Sequence, residues 1–427
     1  MKKRFFRYVS QNMLGMLGMS CYILADTYFI SKAVGSNGIT ALNLVLPVYN
    51  LIFAIGSMIG VGSAIRCVVE TRHGKDASGY FFHALSWALI IGLIFTLMGI
   101  FIPDVIIRLL GGDEVIVATG TGYTRIFMLF APFFMWNYIV NAFVRNDGNP
   151  SIAMAATLFS SLFNIVFDYV LMFPLGLAME GAALATALSP LVGILICMIH
   201  LKSAKCTIKF KPVMPSIKKL FHSCQVGVSA FVGEISSGVI TASFNTIILS
   251  IAGNTGVAAY GVVANISLVA VALFNGIAQG SQPLISEYHG KGDREGVKKT
   301  SVLCIATSLV VAVGIIAFIY AFTVPVASIF NEEKDELLAA YAYEGLRIYF
   351  IGFLFAGLNI VLSNALSAVE SVKWAFIVSI SRGFVMILVM AFTLSKMFGL
   401  TGVWMAFPVA ELITLVFTAV GMRPVMQ

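Results

Sequence analysis

The length of its apolar runs restricts this chain more than any other feature. Ala84 to Ile102, Ile152 to Phe173, Val302 to Phe322 and Phe376 to Leu394 are near or above the length that crosses a bilayer, which takes about 18–20 residues of helix. A transmembrane β-barrel would instead show segments of about ten residues with alternating polarity, and no stretch reads that way. Composition agrees: 59% of residues are hydrophobic and 11% charged, too few charges to cover a soluble surface, which carries about 25%.

The pattern predicts an all-α membrane protein with twelve spans, at approximately 5–31, 39–70, 80–103, 117–144, 150–173, 181–201, 220–251, 257–288, 298–325, 337–367, 372–397 and 400–422. The first run follows Met-Lys-Lys-Arg-Phe-Phe-Arg but is long and lacks a small-residue cleavage site, so it reads as a retained span. Lys and Arg concentrate at the chain start, in the even-numbered loops and at the chain end. The odd loops hold only Lys32, Arg108, Lys334 and Lys396. Because positive loops resist translocation, both termini are expected on the cytoplasmic side of the cell membrane. The net charge of +7 is then explained by loops facing an anionic leaflet and calls for no nucleic-acid partner.

The chain also repeats itself. Residues 35–63 and 253–281 align at one offset, matching Gly35, Gly38, Ala41, Val45, Ala54, Gly62 and Ser63 with Gly253, Gly256, Ala259, Val263, Ala272, Gly280 and Ser281. His73-Gly74-Lys75 matches His289-Gly290-Lys291 two residues out of step. Half-chain similarity predicts two pseudo-symmetric six-helix lobes: 1–201, a basic cytoplasmic linker 202–219 containing Pro212 and Pro215, and 220–427. Parallel repeats of this kind are used by transporters that alternate access by rocking one half against the other.

Ionisable groups at membrane depth cost about 2.5–3.5 kcal/mol on insertion scales and so mark an ion, proton or substrate path. Four acids fall inside the expected spans: Asp26, Asp168, Glu234 and Glu411. Asn164 and Asp168 share a helix face, being four residues apart. Asp168 and Thr186 are expected at one depth, about 8 Å below the outer surface, with Asp26 about five residues from the outer end of its helix. Two readings stand for Asp26, Asn164, Asp168 and Thr186: a site for a hard cation such as sodium or for protons, or a helix-end acid beside ordinary interhelical hydrogen bonds. In the second lobe Glu234 has no evident basic partner, whereas Glu411 has Arg382 within reach as a possible structural pair. Amides and aromatics at depth, among them Asn137, Tyr138, Gln279, Gln282 and Asn359, suit a cavity for small amphiphilic cations.

Other chemistry finds no support. The histidines at 73, 83, 200, 222 and 289 lie in loops or at helix ends without HExxH spacing, and no P-loop occurs. The six cysteines include no CxxC pair, so no disulfide or metal centre is expected. The reading is a monomeric transporter with no enzymatic activity and no organic cofactor, driven by an ion gradient.

The ordered set Asp26-Thr27-Tyr28-Phe29-Ile30, Arg145-Asn146-Asp147-Gly148-Asn149-Pro150, Asn164-Ile165-Val166-Phe167-Asp168 and Gly181-Ala182-Ala183-Leu184-Ala185-Thr186 resembles the multidrug and toxic compound extrusion family over essentially the whole chain. Gly276-Ile277-Ala278-Gln279-Gly280-Ser281-Gln282-Pro283 with Tyr288-His289-Gly290 resembles its bacterial multidrug-exporting branch. The resemblance implies two lobes forming a V and antiport of organic cations against Na⁺ or H⁺. It also implies a cation site at Asp26, Asn164, Asp168 and Thr186, with Glu234 as a seventh-helix acid. Some relatives carry a tenth-helix carboxylate; Asn359 stands in its place here, and no proline occupies the early first helix, where this chain has Gln11. The same superfamily contains flippases for lipid-linked sugars, the alternative reading, which would need several basic residues at depth. Only Arg125 and Arg382 are present.

Overall fold

The computed structural model describes residues 1–328 and 335–426; Lys334, expected in an odd loop, lies outside the described residues. Among the described residues the chain is helical without strands. In order the helices are α1 (Lys2–Val34), α2 (Ser36–Arg72), α3 (Tyr80–Phe101), α4 (Pro103–Leu109), α5 (Glu114–Leu129), α6 (Ala131–Asn146), α7 (Pro150–Met172) and α8 (Ala178–Leu201). There follow α9 (Ile217–Gly290), α10 (Arg294–Ser328), α11 (Glu336–Ile351), α12 (Phe353–Ala368), α13 (Val372–Ile380), a π-helical turn (Ser381–Val385) and α14 (Met386–Met426).

Helix number and span number differ for physical reasons. A continuous helix of the 74 residues of α9 would be about 110 Å long, several times the hydrocarbon thickness of about 30 Å. It is broken at Gly253 (φ 62°, ψ −158°), and Phe244 and Tyr260 stack across the break with ring centroids 5.3 Å apart, so the two halves run back alongside each other. Gly399 (φ 59°) divides α14 in the same way. Conversely, α5 with α6 and α11 with α12 are long and apolar enough for a span only as pairs, bent by 47° and 45°. Among the described residues eight helices are long and apolar enough to cross a membrane; six are single and two are double, and with each bent pair counted as one span they come to twelve.

The first bend has a local cause. Pro132 has no N–H to give Met128, four residues back. Thr96 on α3 supplies the missing donor, its Oγ1 lying 3.4 Å from Met128 O and 3.2 Å from Leu129 O. A carbonyl left bare in lipid would cost several kcal/mol.

The repeat is visible in backbone geometry. Gly35 (φ 77°, ψ −155°) adopts nearly the conformation of its counterpart Gly253, a left-handed region that an L side chain rarely enters. A Cβ on Gly38 would meet Val34 and Ile30; one on Gly256 would meet Ala252 and Ile248, the same neighbours at the same spacing.

Contacts divide the chain into two compact units, Leu14–Glu234 and Met1–Met13 with Ile235–Gln427. These units part at 13/14 and 234/235, whereas the expected lobes part at the 202–219 linker. Glycine contacts give the reason. In the first unit Gly62 lies against Ser223 and Gly227; in the second, Gly280 lies against Tyr8 and Val9. Each second helix of the repeat thus holds the opening turns of the helix that begins the other half.

Candidate functional site

The Leu14–Glu234 unit brings together the four residues predicted as a cation site. Helices α7 and α8 pack closely through small residues: Gly181 packs on the Leu171 backbone, and Ser160 donates to Ser189 O. Asn164 sits eight residues before the end of α7 and Thr186 eight residues after the start of α8, about 12 Å from each end at 1.5 Å per residue. They are level and touch. The expected start of this span at 181 is three residues late, so it is Asn164, and not Asp168, that stands opposite Thr186.

Asn164 links the carboxylate to the hydroxyl. Its amide lies 3.2 Å from Thr186 Oγ1 on one side and 3.1 Å from Asp168 Oδ2 on the other. With nitrogen toward the carboxylate and oxygen toward Thr186, every group has a complementary partner: Asn164 Nδ2 donates to Asp168, and Thr186 Oγ1 donates to Asn164 Oδ1. Asp168 and Asn164 are completely buried and Asp26 nearly so. Asp168 Oδ1 and Asp26 Oδ1 are both buried without a hydrogen-bond donor among the described residues. The two carboxylates are within electrostatic reach of each other. Buried oxygens of this kind are normally satisfied; here two acids within electrostatic reach of each other each keep one without a donor, with the amide of Asn164 and the hydroxyl of Thr186 on the Asp168 side.

Two tyrosines that the sequence reading did not select belong to the same neighbourhood. Tyr123 is within electrostatic reach of Asp26 and Asp168, and Tyr22 of Asp26, Asp168 and Glu234. The Tyr22 hydroxyl lies 3.2 Å from that of Tyr49, and Tyr49 stacks on Phe127 at 4.6 Å. Tyr22 precedes Asp26 by one helical turn, a spacing that could have pointed to it.

Glu234, expected in the second lobe, closes the same unit as Asp26 and lies within electrostatic reach of Tyr22 and Tyr138. Tyr138 packs edge-on against Phe53 at 5.2 Å, while Asn137 is turned toward α8, its Oδ1 beside Gly193. Of the cavity candidates, Asn137 and Tyr138 belong to this unit and Gln279 and Gln282 to the other. Gln282 is buried and donates to Asn364 Oδ1 at 3.0 Å.

The remaining second-lobe candidates form a hydrogen-bonded network in their own unit. Glu411 Oε1 accepts from Arg382 at 2.9 Å, and Glu411 Oε2 accepts from Asn359 Nδ2 at 2.7 Å. Asn359 also donates to the Glu411 backbone carbonyl and accepts from Thr418 Oγ1 at 2.7 Å. Arg382 is carried by the π-helical turn, a rare local unwinding that often re-aims a side chain. Glu411 already has its counter-charge, in contrast with Asp26 and Asp168.

The MatE family profile matches residues 12–170 and 230–393. The chain is 29% identical over 411 residues to the multidrug export protein MepA of Staphylococcus saprophyticus, covering 94% of this chain and 89% of that one. It is 28% identical over 406 residues to MepA of Staphylococcus aureus MRSA252, covering 93% and 88%. Among solved structures it superposes on an outward-facing multidrug resistance MATE family transporter of the MOP superfamily, with TM-score 0.92, 23% identity and coverage of 99% and 96%. A MATE structure in the straight conformation also gives TM-score 0.92 at 23% identity, covering 99% and 96%.

Proposed function

The chain belongs to the MatE family, and from that premise we propose that it is a secondary antiporter, exporting amphiphilic organic cations across the cell membrane in exchange for protons or sodium ions. The names of the staphylococcal relatives, multidrug export proteins, support the export of small molecules. The single observation that carries the coupling is the pair of buried, unsatisfied carboxylate oxygens on Asp26 and Asp168.

In this reading the coupling ion enters at Asp26 and Asp168. A proton would sit on one carboxyl and be shared with the other; a sodium ion would take their Oδ1 atoms and turn to the neutral oxygens of Asn164 and Thr186. Either fits the donor set, since both demand oxygen ligands and a compensated charge. Glu234, flanked by Tyr22 and Tyr138, is the acid for the substrate cation, with aromatic faces for its apolar body. Ion and substrate drive export only by binding the two access states with different affinity. The concentration of Lys and Arg in the chain ends and even loops supports a cytoplasmic position for both termini. Arg382, a basic residue at depth, is already engaged by Glu411, which does not favour the diphosphate a flippase would carry.

Efflux of ethidium from proteoliposomes under an imposed sodium or proton gradient tests the proposal. Asp26→Asn and Asp168→Asn are expected to abolish gradient-driven efflux; full efflux by both variants would overturn the site, and stimulation by one gradient alone identifies the ion.

A further inference from the structure

The segment joining α8 to α9 has a property that positive charge on one membrane face does not explain. Residues 202–219 hold Lys202, Lys205, Lys209, Lys211, Lys218 and Lys219 and no acid. Loops that merely resist translocation need lysines in water. Here large apolar side chains stand exposed among them: Phe210 at 62%, Met214 at 91% and Ile217 at 73%. Phe210 and Met214 lie outside the helices and Ile217 is only the first residue of α9, so contact with the hydrocarbon core does not account for them.

The segment is also fixed at the level of the helix ends. Thr207 N donates to Asp147 Oδ2 at 2.9 Å, and Asp147 Oδ2 accepts a further hydrogen bond from His200 Nε2 at 2.7 Å. Ser216 N donates to His83 Nε2 at 3.0 Å. Phe210 packs edge-on against Phe82 with centroids 5.2 Å apart. His83 is only three residues into α3, about 5 Å from its start, so Ser216 is held at the depth where the spans leave the bilayer. A basic segment with protruding Phe, Met and Ile at that depth has the composition of an interfacial membrane anchor: apolar groups enter the headgroup boundary and lysines meet anionic phosphates.

We infer that residues 202–219 form a binding surface for anionic phospholipid in the leaflet on the lysine-rich side, with Lys202, Lys205, Lys209 and Lys218 facing the headgroups and Phe210, Met214 and Ile217 seated among them. Lys211 is spent on Asp76 at 3.3 Å and Lys219 lies over the Tyr80 ring at 5.7 Å, so these two fasten the segment to its own unit.

Native mass spectrometry of the full chain, offered equal amounts of phosphatidylglycerol and phosphatidylcholine in detergent, tests the inference. The protein is expected to retain phosphatidylglycerol in preference. K202S/K205S/K209S/K218S is expected to lower that retention by about tenfold or more, four phosphate-facing charges being lost. M214S/I217S, which keeps every charge, is expected to lower it as well. R294S/K298S, at the basic start of α10 in the other unit, is expected to leave it unchanged.

Undiminished phosphatidylglycerol on the four-lysine variant overturns the inference, as does equal retention of phosphatidylcholine or an equal loss with R294S/K298S. Displacement of the lipid by millimolar glycerol phosphate would reduce the surface to a simple anion site, and a dimer surviving in place of bound lipid would assign it to a second copy; either overturns it. If the four-lysine variant does not fold, M214S/I217S and the loss of wild-type lipid binding on raising salt decide.

Discussion

A methyl group placed on Gly62 would stand 1.9 Å from the carbonyl oxygen of Ser223. Backbone meets backbone there, and the same contact recurs between Gly280 and Val9, with a Cβ 2.7 Å from the Val9 Cα. These two glycines let the opening turns of α9 and α1 dock.

Gly62→Ala and Gly280→Ala are therefore expected to lower the thermal midpoint in detergent. Overpacking costs about 1–3 kcal/mol, and more where backbone has to move. Gly314→Ala is the control: nothing lies within 4 Å of its Cβ position, and alanine in a helix interior is favoured by about 0.5–1 kcal/mol. A midpoint that falls equally in all three would remove the docking role.

Thr96 and Pro132 form a testable pair. Thr96→Val strips the donor from Met128 O and Leu129 O and is expected to destabilise by about 1–3 kcal/mol. In a Pro132→Ala background the alanine N–H can bond Met128 O, so the Thr96→Val penalty is expected to shrink. A double-mutant cycle on detergent-solubilised protein reads the coupling; a coupling of zero would show that Thr96 does not serve the bend.

Asn164→Leu removes the bridge between Asp168 and Thr186. Leaving buried polar groups without partners costs about 1–3 kcal/mol. Lost stability together with weakened ion-dependent protection from thermal unfolding is the expected result. Thr186→Val is expected to be milder, because it removes a single hydroxyl. Full ion protection in Asn164→Leu would exclude the amide from the site.

The Arg382–Glu411 pair is expected to behave as a structural ion pair. Removing one partner of a buried pair costs about 3–5 kcal/mol, whereas apolar replacement of both is often close to neutral. Arg382→Met and Glu411→Gln should each sharply reduce the folded yield, with Arg382→Met/Glu411→Leu recovering most of it and retaining transport. Transport lost in a well-folded double variant would give Glu411 a role in coupling.

Much of the fold was legible in the sequence because it rests on local quantities. Run length sets the number of bilayer crossings, and Gly35 and Gly253 announce their breaks because a left-handed backbone there suits glycine. The Asn164 and Asp168 spacing put both on one helix face before any neighbour was known. The match of Thr186 with Asn164 rather than Asp168 depended on where α8 starts, which no apolar run defines to within three residues.

What the tertiary structure alone decided is which distant segments meet. Glu234 follows the linker and so read as a residue of the second half; the fold puts it in the unit of Asp26, where Gly62 meets Ser223 and Gly227, and within electrostatic reach of Tyr22 and Tyr138. Tyr22 and Tyr123 resemble any other aromatic of an apolar span until the fold sets them near two carboxylates. Glu411 and Asp168 are both acids at membrane depth, equivalent by hydropathy. Arg382 neutralises one of them, and among the described residues no basic side chain bonds the buried Oδ1 of the other. Chain sequence fixes the cost of burying each charge, and three-dimensional packing fixes whether a counter-charge arrives to offset it.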